Sequence, residues 1–337
     1  MSLTPLTPFN SFQLPKKIQL PKKYLYYMIA TIGFFDGVHL GHCHLINMLK
    51  KVARERSVQS CVITFDRHPR QVVQPEWCPD MLTTLDEKTQ LLKATGIDRC
   101  EVLHFDREMA SQSARDFMLH TLKELLGVSI LVTGYDNRFG HNRSEGFEDY
   151  VRYGKEIGIE VIKGEELTVG STNVSSSSIR RMLKEGNIED ATRCLGHEYQ
   201  LTGTVVAGEH IGRTIGFPTA NIRPNDSSKL IPANGVYAVD VWSESEEDYS
   251  KSEVITRRRA MLNIGTRPTF DGKATTIEVH IPDFKGNLYG KTLTISFISK
   301  IREERRFDSP EALVEQLNKD LDIIIKHRGT EVQRFIK

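Results

Sequence analysis

The pattern of strands and helices along the chain changes near residue 198. Before this point, apolar runs such as CVITF and SILVTG alternate with segments of helical spacing such as LDEKTQLLKATGI, which predicts an α/β domain with a mostly parallel sheet. Beyond it, GVYAVDVW, RAMLNIG, TTIEVHIP and KTLTISFI follow one another with only turn residues between them. Successive strands without helices predict an antiparallel barrel or sandwich, and the helical run PEALVEQLNKDLDIIIKHR closes the chain.

The 337 residues are enough for two domains, each with its own core. The α/β pattern ends with the helical run SSSIRRMLKEG, and the first barrel strand begins near residue 198. We therefore expect one domain over residues 1–187 and a second over residues 188–337. Ligands of the first domain are expected at the carboxyl ends of its parallel strands.

Composition and charge exclude several classes of protein. Hydrophobic residues make up 39% of the chain and charged residues 26%, and the net charge of +1 gives no electrostatic basis for nucleic acid as a general partner. The 5 cysteines are odd in number and form no CxxC pair, which argues against a disulfide or zinc framework and for a reducing compartment. The amino terminus is broken by prolines, and the run YLYYMIATI is too short to cross a bilayer. We expect a cytoplasmic protein without a membrane partner, and the oligomeric state stays open.

The segment GFFDGVHLGH joins an apolar strand to a helix. The first amides of a helix lack partners and the helix dipole is positive there, so such a turn favours a phosphate group. His39 and His42, three residues apart, are expected on one helix face, and Gly41 allows the close approach of a ring or a backbone. Two alternatives stay open on these residues: an ordinary turn at Asp36 with histidines that only cap the helix, or a metal site that includes His44.

A second helix start, VSSSSIRRML, begins with consecutive hydroxyl residues. Serines are good N-caps, so a plain capped helix explains the pattern. The same hydroxyls and free amides would also bind a phosphate, and Arg180 one turn further on would add a charge-assisted donor. The two interpretations, a cap and a phosphate site, are evenly matched on these residues alone.

A glycine-rich loop follows the first barrel strand in GTVVAGEHIGRTIGFPTANI. Gly208, Gly212 and Gly216 would bring backbone amides close to phosphates, and Thr219 and Asn221 offer the neutral oxygen ligands that suit Mg²⁺. The alternative is structural, because barrels also use glycines for bulges and corners. The loop is therefore a candidate nucleotide and magnesium site.

Three motifs carry a resemblance to a known family. GFFDGVHLGH resembles the HxGH signature of nucleotidyltransferases, and VSSSSIR resembles the ISSTxIR element that accompanies it, with Ser177 in place of threonine. PTAN after GRxxG resembles the riboflavin kinase signature, and GVYAV, NIGTRPTF, TIEVHIPDF, LYGKTL and IREERRFDSPEAL follow in that family's order. Most of the chain is thus similar to the bifunctional riboflavin kinase and FMN adenylyltransferase family of bacteria, also called FAD synthetases.

The resemblance implies a Rossmann-like nucleotidyltransferase domain followed by a riboflavin kinase β-barrel with a terminal helix. It implies that ATP phosphorylates riboflavin to FMN, and that a second ATP adenylylates FMN to FAD with release of pyrophosphate. The implied ligands are riboflavin, FMN, FAD and ATP, with Mg²⁺ accompanying the ATP. Two alternatives are an enzyme that retains one of the two activities and a flavin-binding regulatory protein without turnover; the intact set of catalytic groups favours the bifunctional enzyme.

The resemblance also assigns roles to residues of this chain. Glu278 matches the base that accepts the riboflavin hydroxyl proton, and His39, His42 and Arg180 match groups that stabilise charge during adenylyl transfer. The implied contacts to ATP and its phosphates are Gly33, Phe35, Asp36, Gly41, Ser176, Ser177, Gly208, Gly212, Gly216, Thr219 and Asn221, of which the last two are also the implied magnesium ligands.

The implied flavin contacts are Asp136, Asn137 and Arg302. One of them departs from the family pattern, since GYDNRFG matches GxDFxFG except that Asn137 replaces an aromatic residue. An aromatic ring at this position could stack on a flavin, whereas an asparagine cannot. We therefore expect weakened FMN binding at this site, with the catalytic groups intact.

Overall fold

Five parallel strands form the sheet of the first half. They are β1 (Met28–Ile32), β2 (Gln59–Phe65), β3 (Arg99–Leu103), β4 (Val128–Thr133) and β5 (Glu160–Lys163). Their order across the sheet is β3-β2-β1-β4-β5, and every neighbouring pair is parallel. The computed structural model describes residues 27–74, 76–77, 79–135, 137–141, 144–165, 167–169, 172–208, 211–243, 256–269 and 272–326. The strand order confirms the predicted Rossmann-like α/β architecture.

Helices connect these strands and cover the sheet. They are α1 (Leu40–Arg56), α2 (Pro69–Val73), α3 (Leu85–Ala94), α4 (Arg107–Ser111), α5 (Ala114–Asp116) and α6 (Phe147–Ile157). The central strand β1 is buried along its whole length. Its side chains enter two different apolar clusters, with Ile29 in the cluster of Leu49 and Ala30 in the cluster of Leu131. Both faces of the sheet are therefore covered, as its continuous apolar sequence requires.

The segment predicted as one helix, ARDFMLHTLKELLG, contains a π-helix over Phe117–Leu125 that continues α5. The amide of Leu126 bonds to the carbonyl of Thr121, five residues back, at 3.1 Å. Apolar spacing over two turns does not distinguish this hydrogen-bond pattern from that of an α-helix. The buried face, which includes Phe117 and Leu122, still packs on the sheet.

Two short strands and two helices connect the halves. The strands are β6 (Thr168–Val169) and β7 (Thr172–Asn173), and the helices are α7 (Ser176–Glu185) and α8 (Ile188–Leu195). Ser175 caps α7, and its hydroxyl accepts a hydrogen bond from the amide of Ser178 at 3.1 Å. The helix α8 was not predicted from the sequence. Side chains of α7 and α8, such as Ile179 and Leu195, belong to the apolar cluster that fills the barrel, and the domain boundary at residues 187–188 stays a prediction.

Six antiparallel strands form the second half. They are β8 (Gln200–Val206), β9 (Ala220–Pro224), β10 (Gly235–Ser243), β11 (Arg258–Thr269), β12 (Gly272–His280) and β13 (Thr292–Arg302), and they close in the order β10-β11-β12-β9-β8-β13. The short helix α9 (Ile211–Thr214) lies in the glycine-rich loop. The terminal helix α10 (Pro310–Lys326) places Ile324 against Met261 and Ile298 of the barrel. The predicted antiparallel barrel with a terminal helix is confirmed.

Candidate active sites

The turn between β1 and α1 has an unusual backbone. Phe35, Gly37 and Val38 have positive φ angles of 55°, 81° and 39°. Such conformations cost about 1–3 kcal/mol for residues other than glycine, so surrounding contacts must hold the turn. One of these contacts is the buried ring of Phe35, which lies 5.0 Å from the imidazole of His42 between centroids. A Cβ at Gly33 would lie 3.1 Å from this ring, so Gly33 leaves the space that the ring occupies.

His39 and His42 form a stacked pair at the start of α1, with ring centroids 3.6 Å apart. His39 is the N-cap of the helix, and its Nδ1 accepts a hydrogen bond from the amide of His42 at 3.3 Å. The two rings therefore meet by stacking across the cap, and not along a helix face as the spacing suggested. A Cβ at Gly41 would come within 3.2 Å of the His39 ring, so glycine leaves room for the pair.

Burial keeps both histidines neutral at pH 7. It lowers the pKa of His39 to about 4, and the nearby His197 and Arg180 act in the same direction while the carboxylate of Asp36 opposes them. Burial also lowers the pKa of His42 well below its usual range. Because Nδ1 of His39 accepts a hydrogen bond, the proton is on Nε2, which can donate to an anion. Nδ1 of His42 has no hydrogen-bond partner among the described residues.

The buried carboxylate of Asp36 links two of the predicted motifs. One of its oxygens lies 2.5 Å from the guanidinium of Arg180, which is 144 residues away in the chain. The amides of Leu82 and Thr83 also donate to this carboxylate, each at 3.0 Å. The hydroxyl of Ser176 donates to the main-chain carbonyl of Asp36 at 3.0 Å. The histidine turn and the serine helix therefore form one site.

A cavity of about 350 Å³ opens beside this turn. Of the predicted residues, Gly33, Asn137, Ser177 and Arg180 line it. It adjoins a second cavity of about 230 Å³. The aromatic side chains shared by the two cavities are Phe65, Phe105 and Phe139. The site thus combines polar groups at the turn with an aromatic wall beyond it.

Asn137, which departs from the family pattern, is hydrogen-bonded to the last residue of β1. Its side-chain nitrogen donates to the carbonyl of Ile32 at 2.5 Å. Asn137 and the neighbouring Phe139 both line the cavity. Its effect on FMN binding stays a prediction. The other predicted flavin contact in this loop, Asp136, lies outside the described residues.

Among the lining residues that were not predicted from the sequence are His68, Arg70 and Trp77. His68 caps α2 and accepts a hydrogen bond from the amide of Arg70 at 3.1 Å. Burial, and then the positive charge of Arg180, lower the pKa of His68 to about 4. The guanidinium of Arg70 lies 4.5 Å from the centroid of the Trp77 ring. A signal existed for His68, since it follows β2 at the carboxyl end of a parallel strand, where ligands bind.

In the barrel, Glu278, Thr219 and Asn221 lie together. Asn221 of β9 pairs in register with Glu278 of β12. The hydroxyl of Thr219 donates to the Glu278 carboxylate at 3.1 Å. The three residues that the resemblance selected therefore form one cluster, in which a carboxylate lies next to a hydroxyl and an amide.

The glycines beside this cluster are required by space or by backbone geometry. A Cβ at Gly208 would lie 2.1 Å from the side-chain amide of Asn221, and one at Gly212 would lie 2.2 Å from the carbonyl of Phe217. Gly216 has a φ of 83°. These glycines thus have a structural role in the loop, and contact between the loop amides and phosphates stays a prediction.

Arg302 forms an ion pair with the terminal helix. Its guanidinium pairs at 2.8 Å with the carboxylate of Asp320, which is buried on α10. The pair attaches α10 to the end of β13. The contact between Arg302 and a flavin stays a prediction.

The two sites define the class of the protein. A turn with two stacked histidines and an arginine paired to Asp36 lies beside the parallel sheet, and a carboxylate with a neighbouring hydroxyl and amide lies by a glycine-rich loop of the barrel. Charge-stabilising groups at a helix start and a carboxylate beside neutral oxygens are typical of enzymes that transfer phosphate groups.

Comparison with known proteins gives the family. The family model described as FAD synthetase matches residues 22–178, and the one described as riboflavin kinase matches residues 195–327. The bifunctional riboflavin kinase/FMN adenylyltransferases of Escherichia coli K12 and Listeria monocytogenes are 35% and 36% identical to this chain, over 87% of its length and 90% of theirs. The chain belongs to the family of bifunctional riboflavin kinase/FMN adenylyltransferases, and it makes FMN from riboflavin and FAD from FMN.

A solved structure agrees with the fold of both halves. A crystal structure described as a macrolide-efflux protein from Streptococcus pneumoniae is 32% identical, with a TM-score of 0.80, and the match covers 90% of this chain and 95% of that one. Across the described ranges, none of the helices combines the length and the apolar character needed to cross a membrane.

Proposed function

We propose that the two reactions are divided between the two sites, with adenylylation of FMN at the turn between β1 and α1 and phosphorylation of riboflavin in the barrel. The observation that carries this division is the ion pair between Asp36 and Arg180, which gathers the histidine turn and the serine helix at one cavity. Glu278 and Thr219 form a separate cluster on barrel strands and their flanking loop.

At the first site, the phosphate of FMN attacks the α-phosphorus of ATP, and pyrophosphate leaves. An ionised phosphate is already a nucleophile, so the reaction needs no covalent enzyme intermediate and no strong base. The protein has to stabilise the charge that develops on the phosphate oxygens. Neutral His39 and His42 donate hydrogen bonds to them, and Arg180 adds a positive charge. Ser177 and the first amides of α7 complete the anion site.

The aromatic part of the cavity holds the flavin ring of FMN. Phe65, Phe105 and Phe139 offer faces and edges against which a flat ring packs. Asn137 contacts the flavin from the chain after β4, and Asp136 is the other flavin contact that the family resemblance implies. This arrangement places the ring in the apolar end of the cavity and the phosphate near Arg180.

In the barrel, Glu278 accepts the proton of the riboflavin 5′-hydroxyl as that oxygen attacks the γ-phosphorus of ATP. The hydroxyl of Thr219, which donates to Glu278 at 3.1 Å, orients the carboxylate. Amides of the loop around Gly208 and Gly212 bind the phosphates of ATP. Phosphoryl transfer depends mostly on such positioning, which the barrel provides.

The donors of the barrel site fit a magnesium ion. Mg²⁺ takes oxygen ligands and keeps several waters and substrate phosphates, so one or two protein ligands suffice. Thr219 and Asn221 offer neutral oxygens beside Glu278. Within the described ranges, no group of three His, Cys, Asp or Glu is placed to hold a metal ion alone. When bound, the ion neutralises charge on the ATP phosphates.

We also propose that the enzyme works in the cytoplasm on small molecules, without nucleic acid or membrane partners. The free thiols of Cys43, Cys61, Cys100 and Cys194 are consistent with a reducing compartment. The net charge of +1 gives no general attraction to nucleic acid.

A time course tests the proposed function. The full-length protein is incubated with riboflavin, ATP and Mg²⁺, and FMN, FAD and pyrophosphate are quantified. We expect FMN to appear first and FAD to follow with equal amounts of pyrophosphate, and we expect chelation of Mg²⁺ to stop both steps. Accumulation of FMN without FAD would contradict adenylylation by this chain, and activity of both steps without Mg²⁺ would contradict the cofactor.

A further inference from the structure

A short segment of the first half, residues 81–83, is held by the second half. The amide of Met81 donates to the carbonyl of Ser228 at 2.7 Å, and the amide of Leu230 donates to the carbonyl of Met81 at 2.8 Å. These bonds form an isolated parallel bridge between Met81 and Lys229. Since Ser228, Lys229 and Leu230 lie between β9 and β10, the barrel supplies main-chain partners to the first half.

The side chain of Lys229 adds a second connection between the halves. It is buried, its Nζ donates to the carbonyl of Leu82 at 2.7 Å, and it forms an ion pair with Glu87 at the start of α3. The ammonium also lies 4.8 Å from the centroid of the Tyr199 ring. A buried charge with a single set of partners holds those partners in place, because its displacement would leave the charge unpaired.

The segment that Lys229 holds, residues 81–83, binds the carboxylate of Asp36. The amides of Leu82 and Thr83 donate to the Asp36 carboxylate, and the Thr83 hydroxyl accepts a hydrogen bond from the amide of Gly37 at 3.0 Å. Asp36 in turn holds Arg180. A shift of residues 81–83 would therefore move both Arg180 and the turn with positive φ angles.

His197 reaches the same turn from the chain after α8. Its Nε2 lies 2.9 Å from the carbonyl of Gly37. Nδ1 of the same ring lies 3.1 Å from the carbonyl of Glu198, and because a neutral imidazole has one N–H, the shorter contact assigns the donor to Nε2. The peptide groups on both sides of Gly37 are thus fixed, the amide by Thr83 and the carbonyl by His197.

We propose that Lys229 and His197 are positioning residues for adenylyl transfer, so that side chains of the kinase half hold the catalytic turn of the adenylyltransferase half. Both lie within the residues that match the riboflavin kinase model, 195–327. They act through Asp36 and Gly37, whereas the residues that line the cavity of about 350 Å³ at the turn are different ones. The inference rests on the proposed location of adenylylation at this turn.

The first test is Lys229→Met in the full-length protein, which removes the ammonium and retains an apolar stem. We expect kcat for FMN adenylylation to fall about tenfold or more, because misplaced catalytic groups lose transition-state stabilisation. The KM values for FMN and ATP and the kcat for riboflavin phosphorylation should stay within about twofold. The matched control is Lys50→Met, since Lys50 also donates to a carbonyl of another segment, that of Thr95, but far along α1. It should leave both activities unchanged.

The second test uses a pair of substitutions at His197. His197→Leu removes the donor to Gly37 and should lower the adenylylation kcat, whereas His197→Gln keeps an amide donor of similar reach and should restore most of it. A role in packing alone would not be rescued by the polar glutamine. This pair decides the question if Lys229→Met does not fold.

Three outcomes would overturn the proposal: an unchanged adenylylation kcat in Lys229→Met and His197→Leu, an equal loss of both activities, or a change in KM alone. The variant His42→Ala separates this proposal from the proposed function. If His42→Ala loses FAD formation and the two positioning variants do not, only the positioning role is wrong. If His42→Ala adenylylates FMN at the normal rate, the location of the reaction is wrong.

Discussion

The two sites of this enzyme are assembled in opposite ways. In the barrel, Asn221 and Glu278 are partners in a strand ladder, and Thr219 lies two residues before Asn221. Strand register brings Asn221 and Glu278 together, and the hydroxyl of Thr219, just before β9, bonds to the Glu278 carboxylate. In the α/β half, Asp36 meets Arg180 across 144 residues of chain, through a turn and the first turns of a helix. The barrel site depends on one pair of neighbouring strands, whereas the α/β site depends on contacts among segments that no strand pairing connects.

This difference predicts which of the two sites is more sensitive to substitutions at distant residues. A ladder of sheet hydrogen bonds supports the barrel residues from both sides. The turn that carries His39 includes Phe35 and Val38 at positive φ, a conformation that persists only while its surroundings enforce it. We therefore expect substitutions far from the substrates to impair adenylylation more often than phosphorylation.

The largest effect is expected for Glu278→Gln, which tests whether phosphorylation belongs to the barrel alone. The amide keeps the shape of the side chain and its contact with Thr219 but cannot accept the hydroxyl proton. The kcat for FMN formation from riboflavin should fall about 10²–10⁴-fold, the usual contribution of a general base. FAD formation from supplied FMN, assayed separately, should be normal. A similar loss in both assays would show that the reactions are not divided as proposed.

The next largest effect is expected for His42→Ala, which should lose adenylylation and keep phosphorylation. This substitution removes a neutral donor beside the reacting phosphates, so the kcat for FAD formation should fall about 10²–10³-fold. FMN should form from riboflavin at the normal rate and accumulate. His44→Ala, two residues further along α1, is the control and should leave both rates unchanged. A normal rate of FAD formation in His42→Ala would exclude the HxGH turn as the adenylylation site.

Mixing the two variants sharpens the comparison. Glu278→Gln retains adenylylation and His42→Ala retains phosphorylation, so together they should convert riboflavin to FAD, with FMN passing through solution. The rate should rise with the concentration of either variant, measured by chromatography of the flavins. Absence of FAD from a mixture in which each variant retains its own reaction would mean that FMN does not pass freely between the sites.

The opposite assembly of the two sites also explains what the sequence could predict. Thr219 and Asn221 were candidates from the loop sequence, and Glu278 came from the family resemblance, because each lies in a short, contiguous motif. The ion pair between Asp36 and Arg180 was not, since no local spacing connects positions so far apart. The neutral state of His39 depends on burial by the rest of the fold, which a four-residue motif does not encode.

The architecture of both halves was predictable from the sequence, but two of its helices were not. Alternating strands and helices indicated the parallel sheet, and successive strands indicated the barrel, because both signals come from hydrophobic periodicity. The helix α8 and the π-helix over Phe117–Leu125 were missed. The first is a short helix at the change of pattern, and the second shares the apolar spacing of an α-helix.

A smaller effect is expected in the pH dependence of stability, to which His39 contributes in the α/β half only. His39 has a pKa of about 4 in the folded protein, below its ordinary value of 6.5. The unfolded chain therefore binds the proton first as the pH falls, so stability is complete above pH 6.5 and declines towards pH 4. The decline is about 1.4 kcal/mol per pH unit and roughly 3 kcal/mol in total for this histidine.

Urea unfolding between pH 7.5 and pH 4.5 measures this term as the difference between the wild type and His39→Gln. The variant should show a shallower loss of stability, because its side chain does not titrate. Probes in the α/β half should report the effect if the halves unfold separately. Equal pH slopes for the two proteins would contradict the burial of a neutral His39.

The smallest effect is expected for Asn137→Phe, which changes the flavin wall of one half only. An added ring offers a stacking surface worth about 0.5–1.5 kcal/mol, but Phe65, Phe105 and Phe139 already line the cavity. The substitution also removes the hydrogen bond from Asn137 to the carbonyl of Ile32. We therefore expect the KM for FMN in adenylylation to fall only about threefold, with riboflavin phosphorylation unchanged.

The matched control for this change is Asn137→Leu, which adds apolar volume without a ring and also loses the bond to Ile32. It should not lower the KM for FMN. An equal improvement with leucine would attribute the gain to apolar burial, and no improvement with phenylalanine would contradict stacking at this position. A change in riboflavin phosphorylation with either residue would mean that the flavin wall of the α/β half influences the barrel, against the direction of coupling that Lys229 and His197 provide.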